Sequence, residues 1–155
     1  MKQLINILKK ENLSIASIES LTGGLFASEL VKVAGASEVF LGSIVSYANS
    51  VKKDLLNIDQ TTIDKYGVVS EEIAVLMANN GSQLLKSDVT LAFTGNAGPA
   101  TLENKGLGLV FTCIKIKDKN YTYTDKLLGS RNQIRKEVIN LAKTRLIELL
   151  KEKGE

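Results

Sequence analysis

The sequence predicts a three-layer α/β/α domain on a mostly parallel mixed sheet that ends in a late β-hairpin. Three observations predict it. Helically spaced segments alternate with short β-prone runs over the first part of the chain. The run from Val39 to Tyr47 is apolar almost without a break, as for a strand covered on both faces. Two further β-prone runs are separated only by Asp118-Lys119-Asn120, which reads as a hairpin turn. At 155 residues the chain suits one domain, 1–155. Apolar residues make up 44% of it while Trp is absent, so the core must be built from Leu, Ile, Val and Ala.

Lys2 to Lys10 is amphipathic, with Leu4, Ile5 and Leu8 on one helical face. Ser14 to Ile18 is a β-prone run, and Glu19 to Gly24 a turn before helical spacing resumes over Leu25 to Val33. Val51 to Leu56 and Thr61 to Tyr66 are short helices, the second stopped by Gly67. Ser70 is an N-cap, with Glu71 and Glu72 placed where the helix dipole favours acids, and that helix runs to about Leu85. Val89 to Thr94 is a strand, and Gly95 to Gly106 a loop holding the only proline, Pro99. The hairpin strands are Leu107 to Lys117 and Tyr121 to Leu128. Ser130 and Gln133 form a capping box for a last helix with a stripe of Ile134, Val138, Leu141, Arg145 and Leu149. The KEKGE end is expected to be solvated and frayed.

Composition excludes several chemistries. There is no histidine, so a Ser-His-Asp triad, a His-ligated zinc and a His base are ruled out. The single cysteine, Cys113, sits in the apolar run Val110 to Ile114 and reads as a packing residue. No metal or cofactor is expected. Net charge is +3, with basic residues beside acidic ones, which argues against a nucleic-acid surface. The longest uncharged stretch, Val39 to Val51, is too short and polar to span a bilayer, and the N-terminus is no signal peptide. A cytoplasmic location is expected.

Two turns follow strand ends, where open α/β sheets bind ligands. In Glu19-Ser20-Leu21-Thr22-Gly23-Gly24, paired glycines and a helix N-terminus could receive an anion, or simply form a capped tight turn. In Thr94-Gly95-Asn96-Ala97-Gly98-Pro99, polar groups could supply oxyanion or phosphate donors, although taken alone these residues are better explained by an ordinary turn. Between them lies Ser37, with Tyr47 ten residues on and Lys52 fifteen on. A buried lysine can act as base for a serine, with tyrosine relaying the proton. A capping serine, a core tyrosine and a solvated lysine are the plainer readings.

These motifs together resemble the CinA C-terminal domain family, the nicotinamide-nucleotide amidohydrolases that deamidate nicotinamide mononucleotide. The resemblance covers nearly the whole chain. It is carried by Ile18 to Gly24, Gly35-Ala36-Ser37 with Phe40-Leu41-Gly42, Val45 to Lys52, Tyr66 to Glu72, and Thr94 to Pro99. It implies a homo-oligomer, dimer or higher, that acts on a small-molecule nucleotide, with Ser37 as nucleophile, Lys52 as base and Tyr47 as helper. It also implies a substrate pocket drawing on Ser20, Thr22, Gly23, Gly24, Thr94, Gly95 and Asn96. Gly129-Ser130-Arg131 looks like the family's Gly-x-Arg turn, with Arg131 a candidate phosphate ligand. The chain departs from the family where Leu21 replaces a usual cysteine, Asn96 interrupts Gly-Ile-Ala-Gly-Pro, and Gly106 replaces a proline. Most of these changes fall on the second loop, so they bear on substrate preference more than on the Ser/Lys chemistry. The rival readings are a nucleotide-binding module without catalysis and a competence-related assembly protein.

Overall fold

The computed structural model describes residues 1–152. Helix α1 (Lys2–Lys10) leads to strand β1 (Ile15–Glu19) and helix α2 (Leu25–Val31). A 3₁₀ turn, Ala36–Glu38, precedes β2 (Phe40–Val45). Helices α3 (Asn49–Asp54), α4 (Gln60–Tyr66) and α5 (Glu71–Leu85) follow. Then come β3 (Val89–Gly95), β4 (Leu109–Ile116), β5 (Lys119–Lys126) and α6 (Arg131–Glu152). The KEKGE end stays helical through Glu152, and its remainder lies outside the described residues.

The five strands form one sheet in the order β2-β1-β3-β4-β5. β1 pairs in parallel with both β2 and β3, whereas β4 is antiparallel to β3 and to β5. Only β4 therefore runs against the rest, and the sheet is mixed and mostly parallel as expected. Helices cover both faces. Leu4, Leu8, Phe26, Leu30, Ile134, Val138 and Leu146 pack one face against Ile15, Leu91 and Phe93. On the other, Ile63, Ile73 and Met77 pack against Ile18, Ala92 and Cys113. β1 is buried throughout and β3 is buried except at Gly95, which explains their lack of polar alternation.

Four expectations need correction. β2 is an edge strand, not one covered on both faces, and Leu41 and Val45 are exposed on it. The hairpin turn is Lys117-Asp118, because Ile116 pairs with Lys119 and Lys117 takes the left-handed φ of +52° that such a turn requires. The buried stripe of α6 passes through Ala142, Leu146 and Leu150 rather than Leu141 and Leu149. Arg145 leaves that stripe to form a two-pronged ion pair with Asp125 on β5, at 2.6 and 2.7 Å. Cys113, by contrast, is a buried packing residue as expected, and burial pushes its thiol up to about 12, where it is inert.

Register decides what can meet what. Glu19 lies level with Val45 and Phe93, and Ile15 level with Phe40 and Val89. The residues after β1, β2 and β3 thus gather at one edge of the sheet, and those before them at the opposite edge.

Helix α5 comes close to the sheet at Gly81, where an added Cβ would overlap Cδ1 and Cγ1 of Ile18. Gly81→Ala should lower stability by about 1–2 kcal/mol, because overpacking outweighs the gain in helix propensity. Urea unfolding measures this, and a more stable variant would mean that α5 can move away from the sheet.

Candidate active site

The site grows from Glu19, the last residue of β1. Its carboxylate is fully buried. Oε2 accepts the N–H groups of Gly24 and Phe26 at 3.0 and 3.1 Å, and Oε1 accepts that of Ala27 at 2.9 Å. The Ser17 hydroxyl adds a bond of 3.0 Å and that of Ser43 a longer one of 3.4 Å. A side chain from the preceding strand thus caps the N-terminus of α2. The chain doubles back between them, with Gly23 at φ +58° and Gly24 at +91°, and Gly23 N–H donates to Ser20 O at 3.0 Å. This corrects the assignment of Gly23 and Gly24 to an anion site. Glu19 already occupies the helix N-terminus, and the two glycines shape the turn.

The same turn presents Ser20 at the sheet edge. Lys52, one turn into α3, is 1% exposed and reaches back to it. Its Nζ donates to Ser46 O at 2.6 Å and to Ser20 Oγ at 3.2 Å. Burial lowers the Lys52 ammonium to about 8, a shift partly opposed by the field of Glu103. A serine hydroxyl held by a lysine that loses its proton near neutrality has the arrangement a nucleophile–base pair requires.

Ser37 is not part of that pair. It lies in the exposed 3₁₀ turn before β2, where neighbouring Glu38 pairs with Lys9 of α1 at 2.7 Å. The length of β1, about 15 Å at ~3.3 Å per residue, separates that edge from Ser20. The serine that the fold brings to Lys52 is Ser20, not Ser37.

A cavity of about 260 Å³ opens beside Ser20. Leu21, Ala97, Ala100 and Leu102 give it apolar wall, and Gly95 and Asn96 also line it. Arg131 is the only charged residue in its lining and Tyr47 stands beside it. Arg131 Nη2 donates to Tyr47 Oη at 2.7 Å and Nη1 to Gly98 O at 2.5 Å. Two bonds thus orient a guanidinium that has five N–H donors.

The remaining expected ligands are spent on structure. The Thr94 hydroxyl donates to Val68 O at 2.6 Å. The Asn96 amide donates to Leu102 O and Lys105 O and accepts Leu102 N–H, so it organises the second loop from within. Thr22 is buried, and its hydroxyl has no partner. Three side chains were missed: Glu19, Arg135, and Glu103, whose carboxylate takes Val68 N–H at 2.6 Å and Val69 N–H at 3.2 Å. Arg135 was detectable, since it stands one helical turn after Arg131 and shares its face.

The model of the CinA C-terminal domain matches residues 1–150. The chain is 44% identical over 129 residues to the protein MG115 homolog of Mycoplasma pneumoniae, covering 83% of this chain and 82% of that protein. It is 42% identical over 140 residues, 90% of this chain, to a Halalkalibacterium halodurans protein named for competence-damage induction, of which it spans only 33%. A competence or damage-inducible protein from Enterobacter asburiae superposes with a TM-score of 0.94, covering 96% of this chain and 94% of its own, at 23% identity. That last likeness speaks to the fold alone.

Lys52 should make stability depend on pH. The unfolded lysine holds its proton up to its usual 10.5, and the folded one only to about 8. Below pH 8 folding therefore buries a charge, and between these values stability rises with pH, because the unfolded state binds more protons. Lys52→Met should be about 2 kcal/mol more stable than wild type at pH 7, with the gap closing toward pH 10. Denaturant titrations at both pH values measure it. A gap independent of pH would mean that Lys52 is not titrating as described.

Proposed function

The chain belongs to the CinA C-terminal domain family, and from that membership and the Ser20–Lys52 pair we propose that it hydrolyses the carboxamide of nicotinamide mononucleotide. The products are nicotinic acid mononucleotide and ammonia. The observation that carries the reading is the buried Lys52 ammonium, lowered to about 8 and 3.2 Å from Ser20 Oγ.

Neutral Lys52 takes the Ser20 proton as Oγ bonds to the carboxamide carbon. The tetrahedral adduct collapses, the C–N bond breaks, and Lys52 passes its proton to the leaving nitrogen, so ammonia departs. Water then attacks the acyl-serine. Lys52 accepts the water proton and returns it to Ser20 Oγ as the ester bond breaks. The apolar wall of Leu21, Ala97, Ala100 and Leu102 suits a pyridine ring, and Arg131 is the cation available to the phosphate. Tyr47, hydrogen-bonded to Arg131, orients that guanidinium rather than relaying the proton.

Ser20→Ala should abolish ammonia release while Ser37→Ala retains it. Lys52→Arg should be as inactive as Lys52→Ala, because arginine keeps the charge but does not deprotonate in this range. Wild-type kcat/KM should climb as pH rises through about 8. Substantial turnover by a folded Ser20→Ala protein would end the assignment.

Arg131→Ala should weaken the phosphorylated substrate by about 1.5–3 kcal/mol, the range for a hydrogen bond to a charged group. The slow rate on the unphosphorylated riboside should hardly change. Equal losses on both substrates would place Arg131 in stability or chemistry instead of phosphate recognition.

A further inference from the structure

Two backbone donors beside Ser20 have no acceptor. The bond from Gly23 N–H to Ser20 O closes a tight turn whose central residues are Leu21 and Thr22. Among the described residues, neither of their N–H groups is hydrogen-bonded. Leu21 is 5% exposed and Thr22 0%. Buried N–H groups are rarely left unpaired in native structures, and two in succession next to a nucleophile demand a reason.

The carbonyls of the same two residues are, by contrast, firmly held. Arg135 Nε donates to Leu21 O at 3.1 Å and its Nη2 to Thr22 O at 2.8 Å. A trans peptide is planar, with C=O and N–H opposed. Holding the Leu21 carbonyl from α6 therefore points Thr22 N–H away from α6. The Gly23 bond to the Ser20 carbonyl likewise points Leu21 N–H out of the turn. Among the described residues Arg135 has no carboxylate within ion-pair distance, and its other bond is to Asn132 Oδ1 at 3.1 Å. Its positive charge is thus left to polarise the peptides it holds, and a polarised peptide is a stronger N–H donor.

We propose that Arg135 is a positioning residue that, through the turn it pins, aims the N–H group of Leu21 as an oxyanion donor for the carbonyl attacked by Ser20, since Leu21 lines the cavity and Thr22 does not. The inference rests on Ser20 being the nucleophile. An N–H group directly after a nucleophile on a strand–turn–helix is well placed to receive the oxyanion. Here α6 does two jobs from one face: Arg131 lines the cavity, and Arg135 sets the turn behind the reacting atom.

The test is phosphonylation of the full-length protein by a fluorophosphonate, with the modified residue located by mass spectrometry. Wild type should be modified at Ser20 and Ser20→Ala should not. Arg135→Met and Arg135→Lys should react at least about 10-fold more slowly, part of the hundred- to thousand-fold cost of losing an oxyanion donor. In ammonia release they should lose kcat to a similar degree, with KM within about 2-fold, whereas a merely structural staple would show as a lower melting temperature with kcat preserved. Lysine keeps the charge but cannot span two carbonyls, so it should not rescue. Wild-type amide proton shifts give a readout that needs no variant: that of Leu21 should move downfield on phosphonylation. An unchanged Leu21 amide shift, or a folded Arg135 variant phosphonylated at the wild-type rate, would overturn the proposal while leaving Ser20 in place. Modification of wild type at a residue other than Ser20 would remove the nucleophile reading and this inference with it.

Discussion

A carboxylate with no access to water, Glu19, holds the working edge of this molecule together. Burying an anion is costly unless its oxygens are well satisfied. Here three backbone N–H groups and two serine hydroxyls satisfy them. Those N–H groups are orphans of the first turn of α2, so a single side chain relieves both its own desolvation and that of the helix end. The result is a short, closed link between β1 and α2. Ser20 sits on that link, and its position is set by the strand on one side and the capped helix on the other. Lys52 and Arg135 both hydrogen-bond to residues of this link.

Much of the architecture was legible because it follows from periodicity. α1, α5 and the start of α6 announce themselves by apolar spacing and caps, and β1 and β3 by uninterrupted burial. β2 was misread because a parallel edge strand can be as apolar as a central one; Leu41 and Val45 look internal until the strand order is known. Ser37 failed for a related reason. Distance along the chain says how many residues separate it from Lys52, but not that β2 carries the chain from one sheet edge to the other between them. Residues flanking the same end of parallel strands meet; residues at opposite ends of one strand do not. By that rule Ser20, Ser46 and Gly95 share an edge, and Ser37 faces the other way.

The second loop shows why polar residues at a strand end are weak evidence of ligand contact. Thr94 and Asn96 looked like donors for a substrate, yet a loop with few apolar residues needs its own polar groups to hold its shape. Asn96 stitches the loop internally, while Glu103 and Lys105 fasten it to the segment between α4 and α5. What the loop offers the cavity is backbone and small apolar side chains, Ala97 and Ala100 among them. Asn96, a departure from the family pattern, thus acts on the shape of this wall through the bonds it makes inside the loop.

The absence of histidine shaped the rest. Without histidine, a lysine held largely out of water is one of the few groups that can lose a proton near neutral pH, and burial is what brings Lys52 to about 8. Such a group weakens the fold whenever it is charged. A domain whose total stability is on the order of 5–15 kcal/mol tolerates that only if little else at the site is unsatisfied. The turn after Glu19 meets this condition almost completely, since its carboxylate and its carbonyls have partners. Among the described residues, the groups left unpaired in it are the Thr22 hydroxyl and the N–H groups of Leu21 and Thr22, so the unsatisfied polarity of the link is concentrated within two residues of Ser20.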